Sequence, residues 1–504
     1  MMCFSRPRSS PDLKNSRPPV AQRPPAADSL VKSRRLWIAC LALAAAAAVS
    51  ALDYPPLAPN PDAYKARREK FMSKLPPKSV AILRSAPERT MTNDVEYLYR
   101  PDSDFYYLTG ITQEDVVVLL RPDAKDGKRY IVFLQPRDLR REAWAGVRVG
   151  PDEAVAAYGA DAAFPLKDFD SKMEEFDRNT YTTSGYLADA ENLFLSDGGD
   201  TEWLAKFRAS YDPLGRRFSG PASVTDARTI IREMRVIKDE EDLRYLRRVA
   251  EMSAKGHIRA MQAVAPGKYE YEVQQALDGY CYANGSRRMA YPSIVGSGPN
   301  ACILHYDQSS RQMKDGELVL NDSGAEYGLY ATDITRTYPV NGKFSPEQKA
   351  IYEIVLGAQK AAIAVAKPGV KHDEIEHAAA MAQTQGLVKL GLLSGDPAEI
   401  VKSFGHRKLT LHGVSHWVGF DVHDPSKYRD ASGQSRPLEP GMVFTIEPGI
   451  YIPAKSEGVD PKWWNIGVRI EDTFLVTKDG LECLSCGAPR EVADVEKTVK
   501  SGKK

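Results

Sequence analysis

Cysteine is scarce in this chain, six in 504 residues, and that excludes a disulfide scaffold. Cys483 and Cys486 form a C-x-x-C with no second pair to complete a zinc knuckle. They read as two ordinary thiols or one local disulfide. Surplus charge is missing as well: 68 Lys and Arg stand against 67 Asp and Glu, a net charge of +1. That leaves no basic surface for nucleic acid. The Ala-rich run Leu36–Val49 is shorter than the roughly 20 apolar residues of a membrane span. With Lys32, Arg34 and Arg35 before it and Val49-Ser50-Ala51 at its end, it has the basic, apolar and small-residue parts of a secretory signal peptide. Residues 1–35, rich in Pro and Arg, are expected to be disordered. The expectation is an exported protein, periplasmic or secreted, beginning near Leu52; an uncleaved anchor is the alternative.

What is present is an ordinary globular composition, 43% hydrophobic, in a length that suits two or three domains. From Pro55 to about Pro221, apolar runs alternate with Pro, Gly and Asp. Ser79-Val-Ala-Ile-Leu83, Asp115-Val-Val-Val-Leu-Leu120 and Arg129-Tyr-Ile-Val-Phe-Leu134 read as buried strands with helices between, hence an α/β domain. Near Arg228 the character changes. Lys238-Asp-Glu-Glu-Asp242 ahead of Leu243, Leu246 and Val249 places acids at a helix N-terminus, where the macrodipole favours them. The resulting division is a leader with signal peptide at 1–51, an N-terminal domain at 52–227, a second domain at 228–496 and a basic tail at 497–504. The second domain carries a faint repeat. Ala263-Val-Ala-Pro-Gly-Lys-Tyr-Glu-Tyr-Glu-Val-Gln-Gln-Ala276 lies against Ala364-Val-Ala-Lys-Pro-Gly-Val-Lys-His-Asp-Glu-Ile-Glu-His-Ala378, with Lys367 as the one insertion. Such a repeat is what a duplicated, pseudo-symmetric fold leaves behind.

Five residues carry the chemistry: Asp322, Asp333, His416, Glu447 and Glu471. Four carboxylates and an imidazole are a hard, oxygen-rich donor set suited to Mn²⁺, Fe²⁺, Co²⁺ or Zn²⁺. Each stands beside an apolar run or a turn. Asp322 follows Leu318-Val-Leu320, Glu447 ends Met442-Val-Phe-Thr-Ile446, and Glu471 ends Gly467-Val-Arg-Ile470. Period-2 alternation there says strand. Acids pointing inward from several strands require a partner, and metal ions supply one.

The strings Asp322-Ser-Gly-Ala-Glu-Tyr327, Asp333-Ile-Thr-Arg-Thr337, His412-Gly-Val-Ser-His416-Trp417, Asp421-Val-His423-Asp424, Thr445-Ile-Glu447-Pro-Gly449 and Arg469-Ile-Glu471-Asp472 together resemble the Xaa-Pro aminopeptidase (aminopeptidase P) family of pita-bread metallopeptidases. Upstream, Asn93-Asp-Val-Glu-Tyr97 and Arg100-Pro-Asp-Ser-Asp104-Phe-Tyr-Tyr-Leu-Thr-Gly110 resemble that family's N-terminal domain, as does Arg137-Asp138 through Trp144 and Gly146. The resemblance implies an α/β (α+β) protein: a creatinase-like N-terminal α/β domain, then a pseudo-two-fold pita-bread catalytic domain. It implies a binuclear-metal exopeptidase releasing the first residue of peptides with proline second, by attack of a metal-bridging hydroxide.

Roles follow from the same resemblance. Asp333 and Glu471 bridge two ions, manganese first among the candidates; Asp322 completes one shell, and His416 and Glu447 the other. Glu447 also takes the proton of the attacking water. His423 donates to the scissile carbonyl oxygen, while His305 and His412 hold the substrate. Arg469 braces the carboxylates. Tyr451 and Trp144 are candidates for an aromatic pocket around proline, with Trp144 reaching in from a neighbouring subunit of a dimer or tetramer, or else packing within its own domain. The nearest alternative is a prolidase restricted to Xaa-Pro dipeptides. A catalytically dead binding protein on the same fold would show substituted ligands, and none is substituted here.

Overall fold

The computed structural model describes residues 55–173, 175–177, 182–210 and 221–503. The leader and signal peptide expected within residues 1–51 lie outside them. Among the described residues no helix is long and apolar enough to cross a membrane.

The first helix among the described residues is Pro61–Met72: Asn60 caps it, Pro61 has no N–H to leave unpaired, and Tyr64 and Phe71 face inward. Beyond it lies a six-stranded mixed sheet in the order Ser223–Asp226, Asn192–Ser196, Ser79–Arg84, Val117–Leu120, Tyr130–Leu134, Ala162–Pro165. The three apolar runs read from the sequence are its central strands. Ser79–Arg84 pairs parallel with Asn192–Ser196 and antiparallel with Val117–Leu120. Ile82, Leu119, Ile131 and Phe133 are fully buried against Phe169 and Leu193, each such side chain contributing about 1.5–3 kcal/mol. The chain leaves this sheet after Asp226 through the helix Arg228–Arg235.

The sequence repeat in the second half is a repeat of backbone geometry. The helices Glu240–Ala263 and Glu270–Ala283 meet at Gly267, and Pro346–Val365 and His372–Lys389 meet at Gly369. Both glycines have φ of +86°, a conformation that a side chain disfavours. Gly267 N–H donates to Met313 O and Gly369 N–H to Leu438 O, each at 2.8 Å. One step on, Glu270 N–H donates to Arg311 O and His372 N–H to Arg436 O, each at 3.0 Å.

Each helix pair is joined in this way to the segment leading into a strand beside a candidate ligand. One antiparallel sheet is Ile294–Ser297, Leu318–Asp322 and Thr335–Pro339; another is Val443–Ile446, Asp472–Val476 and Leu481–Cys483. Gly449–Ile452 pairs with Ile466–Arg469. The buried Arg336 links the two sheets. It donates to Asp472 at 2.6 Å, to the Glu471 carbonyl, and to the carbonyls of Ala488 and Pro489. Of the two readings of the C-x-x-C, the local disulfide is the one found: Cys483 is bonded to Cys486. The basic residues from Lys497 onward begin inside the helix Val492–Ser501.

Candidate metal centre

Four of the five ligand candidates stand at or next to strand ends, where the backbone ladder stops and side chains can converge. Asp322 closes Leu318–Asp322, and Asp333 lies just before Thr335–Pro339. Glu447 directly follows Val443–Ile446, and Glu471 sits between Ile466–Arg469 and Asp472–Val476. His416 is held to the strand beside it by Thr445 N–H donating to its carbonyl at 2.9 Å.

The donor atoms gather as overlapping clusters. Oxygens of Asp322, Asp333 and Glu471 lie within 4.8 Å of one another, as do the donor atoms of His416, Glu447 and Glu471. Glu471 thus belongs to both. His416 Nε2 is 3.4 Å from Asp333 and 3.4 Å from Glu447. His423, expected to meet the substrate, also has a ring nitrogen within 4.8 Å of donor atoms of Asp333 and His416, its ring 4.1 Å from that of His416.

Charge is out of balance here. Burial pushes Glu447 up to about 8, with Asp333 adding to it and His416 opposing. Burial, then Asp333 and Glu447, hold Glu471 above the usual carboxylate range. Asp322 is raised by burial against the pull of Arg469. Asp333 alone is lowered, its burial outweighed by His416, Tyr291 and His423 acting together. Burial would lower His416, but Asp333 and Glu447 raise it to about 9. Arg469 answers part of this negative charge, donating to Asp322 at 2.5 Å. Glu471 Oε1 is buried with no hydrogen-bond partner. An orphaned carboxylate oxygen among crowded acids and one imidazole fits divalent cations with hard-donor preference.

The centre opens on a cleft of about 710 Å³, whose walls include His305, His412, His423, Tyr291 and Tyr428. Behind the wall runs a relay. Arg469 donates to Tyr451 Oη at 2.7 Å, and Tyr451 Oη lies 2.7 Å from His412 Nε2. His412 Nδ1 donates to the Gly413 carbonyl at 2.6 Å, so Nε2 is the acceptor and the Tyr451 hydroxyl is its donor. Burial, then Arg469, lowers His412 to about 3. It is a neutral ring with both nitrogens engaged within the protein, by the Gly413 carbonyl and the Tyr451 hydroxyl. Tyr451, expected as a wall of a proline pocket, is 0% exposed and stands behind His412. Trp144 is 92% exposed on the helix Leu139–Ala145 and does not pack within its own domain.

Tyr291 escaped the sequence reading. Its hydroxyl contacts Asp322 at 2.6 Å and Asp333 at 2.5 Å. Nothing in Tyr291-Pro292 signals that role, because the partners come from later strands. Thr335 also escaped; it donates to Glu471 at 2.7 Å. Here a signal existed, since residues i and i+2 of a strand share a face and Asp333 is two before it. The segment Asp421–Asp424 is pinned from both domains. Arg235 donates to Asp421 at 2.7 Å and also to Asp424, and Lys238 donates to Asp424 at 2.8 Å. Arg100 donates to Phe420 O at 2.7 Å and Ser103 to Asp421 at 2.8 Å. The N-terminal domain therefore holds the segment that bears His423.

Comparison with known proteins agrees in both halves. Residues 64–182 match the profile of the aminopeptidase P N-terminal domain, and residues 244–478 that of metallopeptidase family M24. The chain is 37% identical to the Xaa-Pro aminopeptidase of Escherichia coli K12, over 88% of this chain and 98% of that protein. It is 37% identical to the Xaa-Pro aminopeptidase of Haemophilus influenzae, over 86% and 96%. The solved structure of Pseudomonas aeruginosa aminopeptidase PepP superposes with a TM-score of 0.82 at 39% identity, covering 88% of this chain and 99% of that one.

Proposed function

The chain belongs to metallopeptidase family M24, in its aminopeptidase P branch, and from that premise we propose that it releases the N-terminal residue of peptides with proline second. The observation that carries this reading is the cluster of three buried carboxylates with the part-buried Glu447 and His416, open to a cleft lined by His305, His412 and His423. Asp322, Asp333, His416, Glu447 and Glu471 would hold two divalent cations, manganese first. Bound there, the cations supply Lewis acidity toward the scissile carbonyl and a nucleophile from water at neutral pH.

The protein's own groups do the rest. Glu447 faces His412 and His416 at 3.6 and 3.4 Å and accepts the proton of the attacking water. His423 stands at the carbonyl oxygen, where negative charge develops. Arg469 and Tyr291 fix Asp322 from two sides, so it does not reorganise during the reaction. An Xaa-Pro bond has no N–H to offer. The apolar walls Ile294, Leu304 and Val422 suit a pyrrolidine ring that makes no such demand.

Two further parts of the reading rest on single features. Trp144, exposed on its helix, enters the cleft of a second copy in a dimer or tetramer; Trp144→Ala should then change the mass in solution or the KM for peptides. Export rests on Lys32 through Ala51, and N-terminal sequencing of the exported protein tests it. The decisive assay sets Arg-Pro-Pro beside Gly-Pro. Release of Arg from the tripeptide supports the aminopeptidase; turnover of the dipeptide alone makes the protein a prolidase.

A further inference from the structure

Glu270 opens the helix Glu270–Ala283 and is fully buried, yet it belongs to none of the ligand strands. Its carboxylate accepts hydrogen bonds at both oxygens. Oε1 takes them from Ser297 N–H at 2.6 Å, Ser297 Oγ at 2.7 Å and Asn300 Nδ2 at 3.2 Å. Oε2 takes them from Tyr306 Oη at 2.9 Å and Arg311 N–H at 2.9 Å. Every one of these donors lies on the single stretch 297–311. His305, which lines the cleft, hangs between Asn300 and Tyr306.

A buried charge is costly unless its lone pairs are satisfied. Here they are satisfied only by closing this loop on both sides of His305. The carboxylate therefore acts as a clasp: Ser297 and Asn300 are drawn to one oxygen, Tyr306 and Arg311 to the other. The residues between have little freedom, and the Leu304 carbonyl sits 3.4 Å from Arg469 Nη2. The other half of the domain has a counterpart. His372 follows the equivalent Gly369 turn, and its Nε2 lies 3.0 Å from Ser415 Oγ while its ring packs on Trp417 and Tyr428. In both halves the first helical residue after the turn reaches across to a loop that presents a histidine to the cleft.

We propose that Glu270 is a positioning residue of the peptidase site, acting through Tyr306 and the 297–311 loop to place His305 against the substrate. The proposal rests on the reading of this cleft as an aminopeptidase site. Glu270→Gln puts an amide where two sets of donors converge; Tyr306→Phe deletes one donor and is the milder change should the first fail to fold. Hydrogen–deuterium exchange on the full chain reads the loop whatever the enzyme cleaves. Amides of residues 301–306 should exchange faster in both variants, and those of Leu318–Asp322 should not. With Arg-Pro-Pro and metal-loaded protein, kcat/KM should fall roughly ten- to a hundred-fold at unchanged metal content. In a His305→Ala background the same substitutions should cost little more, because the group they position is gone. Unchanged exchange at 301–306, or a full loss added on top of His305→Ala, overturns the proposal. If the unaltered protein leaves Arg-Pro-Pro intact, the aminopeptidase reading fails instead, and the exchange measurement alone decides for or against the clasp.

Discussion

Asp322 and Glu447 occupy the same position in the two halves of the catalytic domain. Each strand is joined to its helix turn by the same hydrogen bond, at Met313 and at Leu438. Each then passes a positive-φ glycine, Gly316 or Gly441, and counting equally along both from those bonds reaches Asp322 and Glu447. Their surroundings differ. Asp322 is held by Tyr291 and Arg469, whereas Glu447 faces His412 and His416. A carboxylate clamped by two donors is fixed in place; one that is not clamped, and that burial has pushed up to about 8 in the absence of a cation, is the better placed to exchange a proton.

Glu447→Gln should therefore lower kcat by roughly 10²–10⁴-fold. The fold should survive, because the change removes one of several mutually repelling carboxylates. Steady-state kinetics beside circular dichroism checks it. Activity within a few-fold of the original would assign the proton transfer elsewhere.

Metal removal should expose the electrostatic cost of the site. A carboxyl whose folded pKa is raised stabilises the fold most below its ordinary value of 4.5, and that stability is lost as pH rises through about 8 for Glu447. Glu471, raised by burial and by Asp333, acts in the same direction. The chelated protein should lose melting temperature between about pH 5 and 8, while the metal-loaded protein should not. Scanning fluorimetry across that range distinguishes them, and parallel curves would mean the acids are not the source.

The pair Arg336–Asp472, at 2.6 Å with neither side chain exposed, predicts a large effect from a change that touches no substrate. Asp472→Ala strands a buried guanidinium and should cost about 3–5 kcal/mol. A urea midpoint lowered at unchanged slope would show it. Because Arg336 also donates to the Glu471 carbonyl, metal affinity should fall with stability.

The Cys483–Cys486 bridge closes a short loop, so its entropic contribution is small, about 2 kcal/mol. Ser485, inside that loop, donates to Asp472 at 2.7 Å. Replacing both cysteines by serine should lower the melting temperature by a few degrees, and a dithiol should lower the unaltered protein's by the same amount. A dithiol effect that persists in the double variant would have another origin.

Local rules reached far into this protein. Apolar runs between turn residues marked the central strands Ser79–Arg84, Val117–Leu120 and Tyr130–Leu134, because burial on both faces needs unbroken apolar stretches. The Pro-Gly turns of the repeat were legible because a positive φ demands glycine whatever surrounds it. The candidate ligands could be singled out because inward-facing acids beside strands need a partner, and folding brings their donor atoms together. What the tertiary structure decided is which groups hold those ligands in place. Tyr291 meets Asp333, Arg469 meets Asp322, Arg235 meets Asp424 and Glu270 meets Tyr306 across long stretches of chain. A tyrosine, arginine or glutamate has the same local propensity whether it braces an active site or faces water. Its role exists only once folding brings a partner within hydrogen-bond distance, and that partner is written elsewhere in the sequence.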